Sequence, residues 1–134
     1  MVLDTSALLA IYLAEAESVQ FETAILNASS TFISAGTLLE AGIVVEARHR
    51  EAGAIELDRL LRKLGVTIGP FDAEQAEAGR LAFRRYGQGR HPANLNYGDC
   101  FAYALAMTTG EPLLFKGDDF ANTDVVEARP ETIR

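Results

Sequence analysis

Met1-Val2-Leu3-Asp4-Thr5-Ser6-Ala7-Leu8 is the stretch on which the reading of this chain turns. Three apolar residues read as a short strand, an acid stands at its carboxyl end, and Thr5 or Ser6 can cap the helix that follows. The same order returns late in the chain, where apolar Leu113-Leu114-Phe115 runs into Lys116-Gly117-Asp118-Asp119. Between them, Thr31-Phe32-Ile33-Ser34 has the β-branched and aromatic character of a buried strand, and Val66-Thr67-Ile68 supplies another.

Amphipathic patterns fill the intervals and predict helices over 6–14, 17–26, 37–49, 52–64, 72–85 and 97–108. In the fourth, Ile55, Leu57, Leu60, Leu61 and Leu64 fall mostly on one face, while Asp58, Arg59, Arg62 and Lys63 face water. Gly65 and Gly110 are helix stops, and Asp72 with Gln75 resembles a capping box. Residues 86–96, rich in Gly, Asn, Arg and His, form the longest irregular stretch and the natural place for a functional loop. Strands separated by helices imply parallel pairing through right-handed crossovers. The expected fold is therefore α/β, a central parallel sheet flanked by helices, and such sheets bind ligands beyond the carboxyl ends of their strands.

The global numbers limit the alternatives. At 134 residues and 49% hydrophobic, the chain suits one compact domain spanning 1–134. No apolar run approaches the roughly 20 residues that span a bilayer. The amino terminus has neither the basic start nor the cleavage site of a signal peptide, so the expected location is the cytoplasm. The lone Cys100 forms no internal disulfide, and no Cys/His spacing resembles a zinc site. Nineteen acidic against twelve basic side chains give a formal charge of −7, which argues against sequence-blind adhesion to nucleic acid. Local charge differs: Arg80, Arg84, Arg85, Arg90, His91 and Lys116 lie near the acids in sequence, and a few cations suffice to hold one RNA segment.

Four acidic positions carry the chemistry. Asp4 and the Asp118-Asp119 pair stand at strand ends, although a helix cap and a turn explain each taken singly. Glu40 sits in Gly36-Thr37-Leu38-Leu39-Glu40-Ala41-Gly42-Ile43, with no basic residue at helical spacing until Arg48. An ionised carboxylate there needs a partner; the bland alternative is a narrow exposed stripe shared with Thr37. Asp99 opens the last helix, where the backbone dipole favours it, but the face continuing through Ala102, Tyr103 and Ala106 is apolar and directs it toward the sheet. Carboxylates converging from distant segments suit Mg²⁺, which prefers oxygen donors. Two ions about 4 Å apart would serve an in-line displacement at phosphorus with no His, Cys or Ser nucleophile. Thr5 and Ser6 could steady the Asp4 carboxylate or touch a bound water, Tyr97 and Gly98 could let a substrate backbone approach closely, and His91 beside Arg90 is a candidate phosphate contact.

Taken together, Met1 to Leu8, Glu40 in the third helix, Leu95-Asn96-Tyr97-Gly98-Asp99-Cys100-Phe101-Ala102 and Leu113 to Phe120 resemble a PIN-domain ribonuclease of the VapC toxin type, over nearly the whole chain. The resemblance implies a three-layer PIN-like fold and a Mg²⁺- or Mn²⁺-dependent endoribonuclease, the toxin of a toxin–antitoxin pair. Asp4 and Asp99 match the family's principal metal ligands, Glu40 the third acid, and Asp118 or Asp119 the fourth. Thr5, Ser6, Arg90, His91 and Lys116 are the candidate substrate contacts. A VapB-type antitoxin whose tail covers the active site is the implied partner, in a homodimer or a toxin–antitoxin hetero-oligomer. The apolar early helices, with Leu8, Leu9, Ile11, Tyr12 and Leu13, would give most of these residues to the core and a minority to that partner.

Two other classes compete. A phosphoacceptor signalling domain shares the parallel sheet, but it needs an acidic pair near the first strand and an aspartate directly after a middle strand, whereas Val66-Thr67-Ile68-Gly69 runs into Pro70-Phe71. A non-catalytic PIN-like binding module would have no use for all four acids.

Overall fold

Pairing follows the apolar triplets. In the computed structural model, which describes residues 1–129, Val2–Leu3 forms strand β1 and Phe32–Ser34 forms β2. Thr67–Gly69 forms β3 and Leu113–Leu114 forms β4. All pairs are parallel, in the order β3-β2-β1-β4, with Val2 opposite Phe32 and Leu113, and Leu3 opposite Ile33 and Leu114. The helices are α1 (Thr5–Tyr12), α2 (Ser18–Asn27), α3 (Ala35–Leu64), α4 (Ala73–Tyr86) and α5 (Tyr97–Thr109). Residues 130–134 of the expected single domain lie outside the described residues.

The period-two alternation of strand side chains divides the core into two. Leu3, Ile33 and Leu114 point to one face and pack with Leu8 and Ile11 of α1, Ile25 of α2, and Leu57, Leu61 and Leu64 of α3. Val2 and Leu113 point to the other, against Ala82 of α4 and Ala102, Tyr103 and Leu105 of α5. Helices thus cover both faces of the sheet. Each fully buried Leu or Ile contributes about 1.5–3 kcal/mol of transfer free energy, and Leu3, Leu8, Ile33, Leu113 and Leu114 are all at 0% exposure.

Several boundaries differ from those read in the sequence. α1 starts one residue earlier, because Asp4 caps it by accepting the Ser6 N–H, and it ends at Tyr12, just before Ala14 turns left-handed at φ 53°. The helices expected at 37–49 and 52–64 are the two halves of α3, separated as expected by a non-helical kink at Arg50 (φ 55°, ψ −147°), and the first half starts two residues earlier, at Ala35, where the Ser34 side chain caps it. Gly53 beyond the kink allows it, since a Cβ there would run into the Val45 carbonyl. Asp72 does cap α4, but Gln75 does not complete a box. Its buried side chain instead donates to Thr108 Oγ1 at 2.6 Å and ties α4 to α5. Ile55, expected on the buried face, is 47% exposed. Residues 87–96 are irregular, one residue shorter than expected because α4 runs through Tyr86, and the stretch is closed by the Gly87–Leu95 bridge.

Candidate active site

Strand order locates the site. β1 connects onward to β2 on one side while β4 returns on the other, so the direction of winding reverses between β1 and β4, where open parallel sheets form their binding crevice. Asp4 emerges from β1 at that point, and its N–H donates to the Leu114 carbonyl at 3.0 Å. Beyond β4, the Lys116 N–H donates to Ser6 Oγ at 2.9 Å, pulling the Gly117-Asp118-Asp119 turn toward α1. Gly117 makes that turn at φ 100°, which a side chain would resist.

Asp4 is 4% exposed and accepts from Ser6 N–H at 3.0 Å and Ser6 Oγ–H at 2.6 Å, both on Oδ2. Burial raises its pKa above the usual carboxylate range; the Ser6 bonds oppose that shift, and the Glu40 charge adds to it. Glu40 comes from the second turn of α3 and accepts the Thr5 hydroxyl on Oε1 at 2.5 Å. Its carboxylate lies where the Cβ of any larger residue at position 98 would be. Gly98 is therefore the close-approach position the sequence suggested, but its visitor is Glu40 rather than a substrate backbone. Thr37 is fully buried, which removes the exposed-stripe alternative for Glu40.

Asp99 arrives on the first turn of α5 through a reciprocal cap that sequence reasoning missed: Asn96 Oδ1 accepts the Asp99 N–H and Asp99 Oδ2 accepts the Asn96 N–H, each at 2.9 Å. The readable signal was an Asn three residues before an acid ahead of an apolar run. The Asp99 pKa is pushed up to about 7, first by desolvation, then by the charges of Asp4, Asp119 and Glu40, against the lowering bond from Asn96. Asp118 is absent from those causes; its carbonyl accepts the Ala121 N–H and the Asn122 amide, shaping the 3₁₀ turn Phe120–Asn122.

Four acids from β1, α3, α5 and the β4 turn therefore share one field, and among the described residues no lysine or arginine ion pair falls on any of them. Nor, among the described residues, do three such side chains stand together as a ready ligand cage. Carboxylate oxygens are the donors that Mg²⁺ prefers, and such an ion usually takes only one or two of them, filling its remaining positions with water and phosphate oxygens.

The PIN domain family model matches residues 1–126. A Ribonuclease VapC of Mycolicibacterium smegmatis is 51% identical over 93% of this chain and 97% of its own length. Ribonuclease VapC30 of Mycobacterium tuberculosis is 48% identical over 93% and 95%. The chain belongs to the VapC ribonucleases of the PIN-domain family. Solved structures agree on the fold: Mycobacterium tuberculosis VapC20, described as a sarcin-ricin loop cleaving toxin, superposes with TM-score 0.77 at 17% identity, over 96% of this chain and 98% of that one. Rickettsia felis VapBC2, solved on a DNA fragment of its promoter, gives TM-score 0.70 at 17% identity, over 94% of each chain.

In this VapC ribonuclease the candidate cationic contacts have interactions of their own apart from the four acids. Lys116 Nζ is held by Glu15 at 3.3 Å and Glu17 at 3.0 Å, in the loop between α1 and α2. His91 accepts the Ala93 N–H on Nδ1 and stands edge-on to Tyr86, so it braces the irregular loop. Arg90 lies over the Phe83 ring at 5.6 Å. Of the five apolar residues at α1 and its C-cap, Leu8 and Ile11 are buried, Leu9 and Tyr12 are partly exposed while packing against the core, and Leu13 is partly exposed, so fewer are fully buried than the sequence suggested. Among the described residues no helix is long and apolar enough to cross a membrane.

Proposed function

We propose that this VapC ribonuclease hydrolyses RNA phosphodiester bonds at Asp4, Glu40, Asp99 and Asp119, which together hold Mg²⁺ or Mn²⁺. The observation that supports it most is the mutual field of these acids: two have raised pKa values, and none has a cationic partner among the described residues. A bound divalent cation would supply charge neutralisation at the phosphodiester and activation of the attacking water. The protein's own contribution is positional. Thr5 orients Glu40, Ser6 fixes the Asp4 rotamer and the β4 turn together, and Asn96 fixes Asp99. The field on Asp99 favours Asp119 over Asp118 as the fourth acid.

The relatives support the rest of the reading. The protein acts as a single-domain toxin in the cytoplasm, its substrate an RNA and its partner a VapB-type antitoxin, in a homodimer or a toxin–antitoxin hetero-oligomer. The partly exposed apolar residues of α1 offer that antitoxin an amphipathic footing. Purified protein incubated with RNA should cut it in Mg²⁺ or Mn²⁺, stop in EDTA, and be inactive as Asp99→Asn. Cleavage that persists in EDTA, or that survives Asp99→Asn, would contradict the assignment.

A further inference from the structure

Asp119 sits on a loop that leaves β4 and comes back to it. After Phe115 the chain runs through Gly117-Asp118-Asp119 and the 3₁₀ turn Phe120–Asn122, then returns beside β4, where the Leu113 N–H donates to the Val126 carbonyl and the Ala128 N–H to the Leu113 carbonyl, both at 2.8 Å. Connecting segments of this kind are more mobile than the elements they join, so a carboxylate on one is held in place only if the loop is pinned. Three pins are in place. The first is the Lys116 N–H on Ser6 Oγ. The second is the buried Phe120, whose ring lies 5.3 Å from that of Phe115.

The third comes from α5. Tyr103 is buried, and its hydroxyl donates to Asp124 Oδ1 at 2.6 Å, the short length of a bond to a charged acceptor. Burial first, and then the Asp124 carboxylate, raise the Tyr103 pKa above the usual phenol range, so the hydroxyl stays protonated and remains the donor. Its place on the helix matters. Tyr103 stands four residues after Asp99, on the same face of α5 one turn further along, and the bond therefore ties the loop that carries Asp119 to the helix that carries Asp99. Between the two, the Thr123 hydroxyl and N–H both donate to the Phe120 carbonyl, at 2.7 and 3.0 Å, which makes the stretch from Asp119 to Asp124 a stiff turn able to transmit the anchor. A phenylalanine at position 103 would fill nearly the same space in the core. The hydroxyl adds only what it holds.

We propose that Tyr103 is a positioning residue for the metal site: by holding Asp124 it keeps the loop closed on α5, and with it Asp119 within reach of the cation that Asp4 and Asp99 hold. Tyr103 acts through Asp119 and not by contact with the ion. This rests on the ribonuclease reading above and adds to it a group outside the four acids on which metal affinity depends.

Isothermal titration of Mn²⁺ into the full, metal-stripped chain, with no RNA present, tests it. Tyr103→Phe keeps the ring and should weaken Mn²⁺ binding about tenfold, the lower end of what loss of a ligand-supporting group costs. Asp124→Ala, a change at an exposed residue, should reproduce that loss, and Asp124→Asn, which keeps an acceptor, should recover most of it. The deciding comparison is made in Asp119→Asn, which by itself should weaken binding; there Tyr103→Phe should change nothing more, because two residues acting through one contact are not additive. The same loss in both backgrounds, or none from Tyr103→Phe and Asp124→Ala where Asp119→Asn does weaken binding, would overturn the positioning role and leave the ribonuclease reading standing. Undiminished binding in Asp119→Asn would instead remove Asp119 from the site, and the proposal with it. Absence of Mn²⁺ binding by the unsubstituted protein would bring down the ribonuclease reading itself.

Discussion

Asp99 combines two roles in one carboxylate. Its Oδ2 fastens the start of α5 through Asn96, while the whole group stands in the field of Asp4, Asp119 and Glu40. Asp99→Asn should lower RNA cleavage by more than the roughly 10- to 100-fold typical of residues one step removed from a metal. The same substitution should raise the melting temperature in EDTA, because it removes a poorly solvated charge from among its likes; a lower melting temperature there would contradict the electrostatic account. The pH dependence has a definite sign. Asp4 and Asp99 hold protons more tightly folded than unfolded, so their contribution to stability is complete below the ordinary carboxylate pKa of about 4 and is lost as pH rises through their raised folded values, about 7 for Asp99. Metal-free protein should therefore melt lower at pH 8 than at pH 5, and Mn²⁺ should recover more at pH 8. An equal Mn²⁺ effect at both pH values would count against carboxylates as the ligands. At this scale the sequence carried the acids well, since each breaks an apolar pattern. It could not separate Asp118 from Asp119, because both stand in one turn and only the backbone decides which carboxylate faces the others.

Helix packing depends on two residues without side chains. Gly98 on α5 receives the Glu40 carboxylate from α3, and Gly36 on α3 receives the Phe101 ring from α5. Gly98→Ala should displace Glu40, costing about 1–3 kcal/mol by overpacking, together with most of the cleavage activity. Urea unfolding alongside an RNA assay would measure both, and an alanine that leaves both intact would refute the contact. The helices themselves were legible from period and caps. One missed feature depends on a tertiary contact, since Gln75 reaches Thr108 rather than its own cap, whereas the Asn96–Asp99 box is local and its signal stands in the sequence. A glycine in a sequence announces permission, not which neighbour will use it.

Across the whole molecule, the parallel sheet brings together residues far apart in sequence because β1 and β4 are neighbours while their connections leave in opposite directions. Alternation along each strand divides the core between the two helical layers, and that pattern was readable from the apolar triplets alone. Strand order was not: it depends on how α1 to α5 pack, and no local signal encodes it. Expression without an antitoxin should arrest growth, and Asp4→Ala should abolish the arrest, as scored by colony counts. Normal growth with the intact, folded protein would contradict the toxin role. The central claim is that four distant carboxylates meet to hold a divalent cation, and a crystal structure with Mn²⁺, located by its anomalous signal, tests it most directly. The account predicts manganese bound to Asp4 and Asp99, with Glu40 and Asp119 reached directly or through water; manganese elsewhere, or none at saturating concentration, would contradict it.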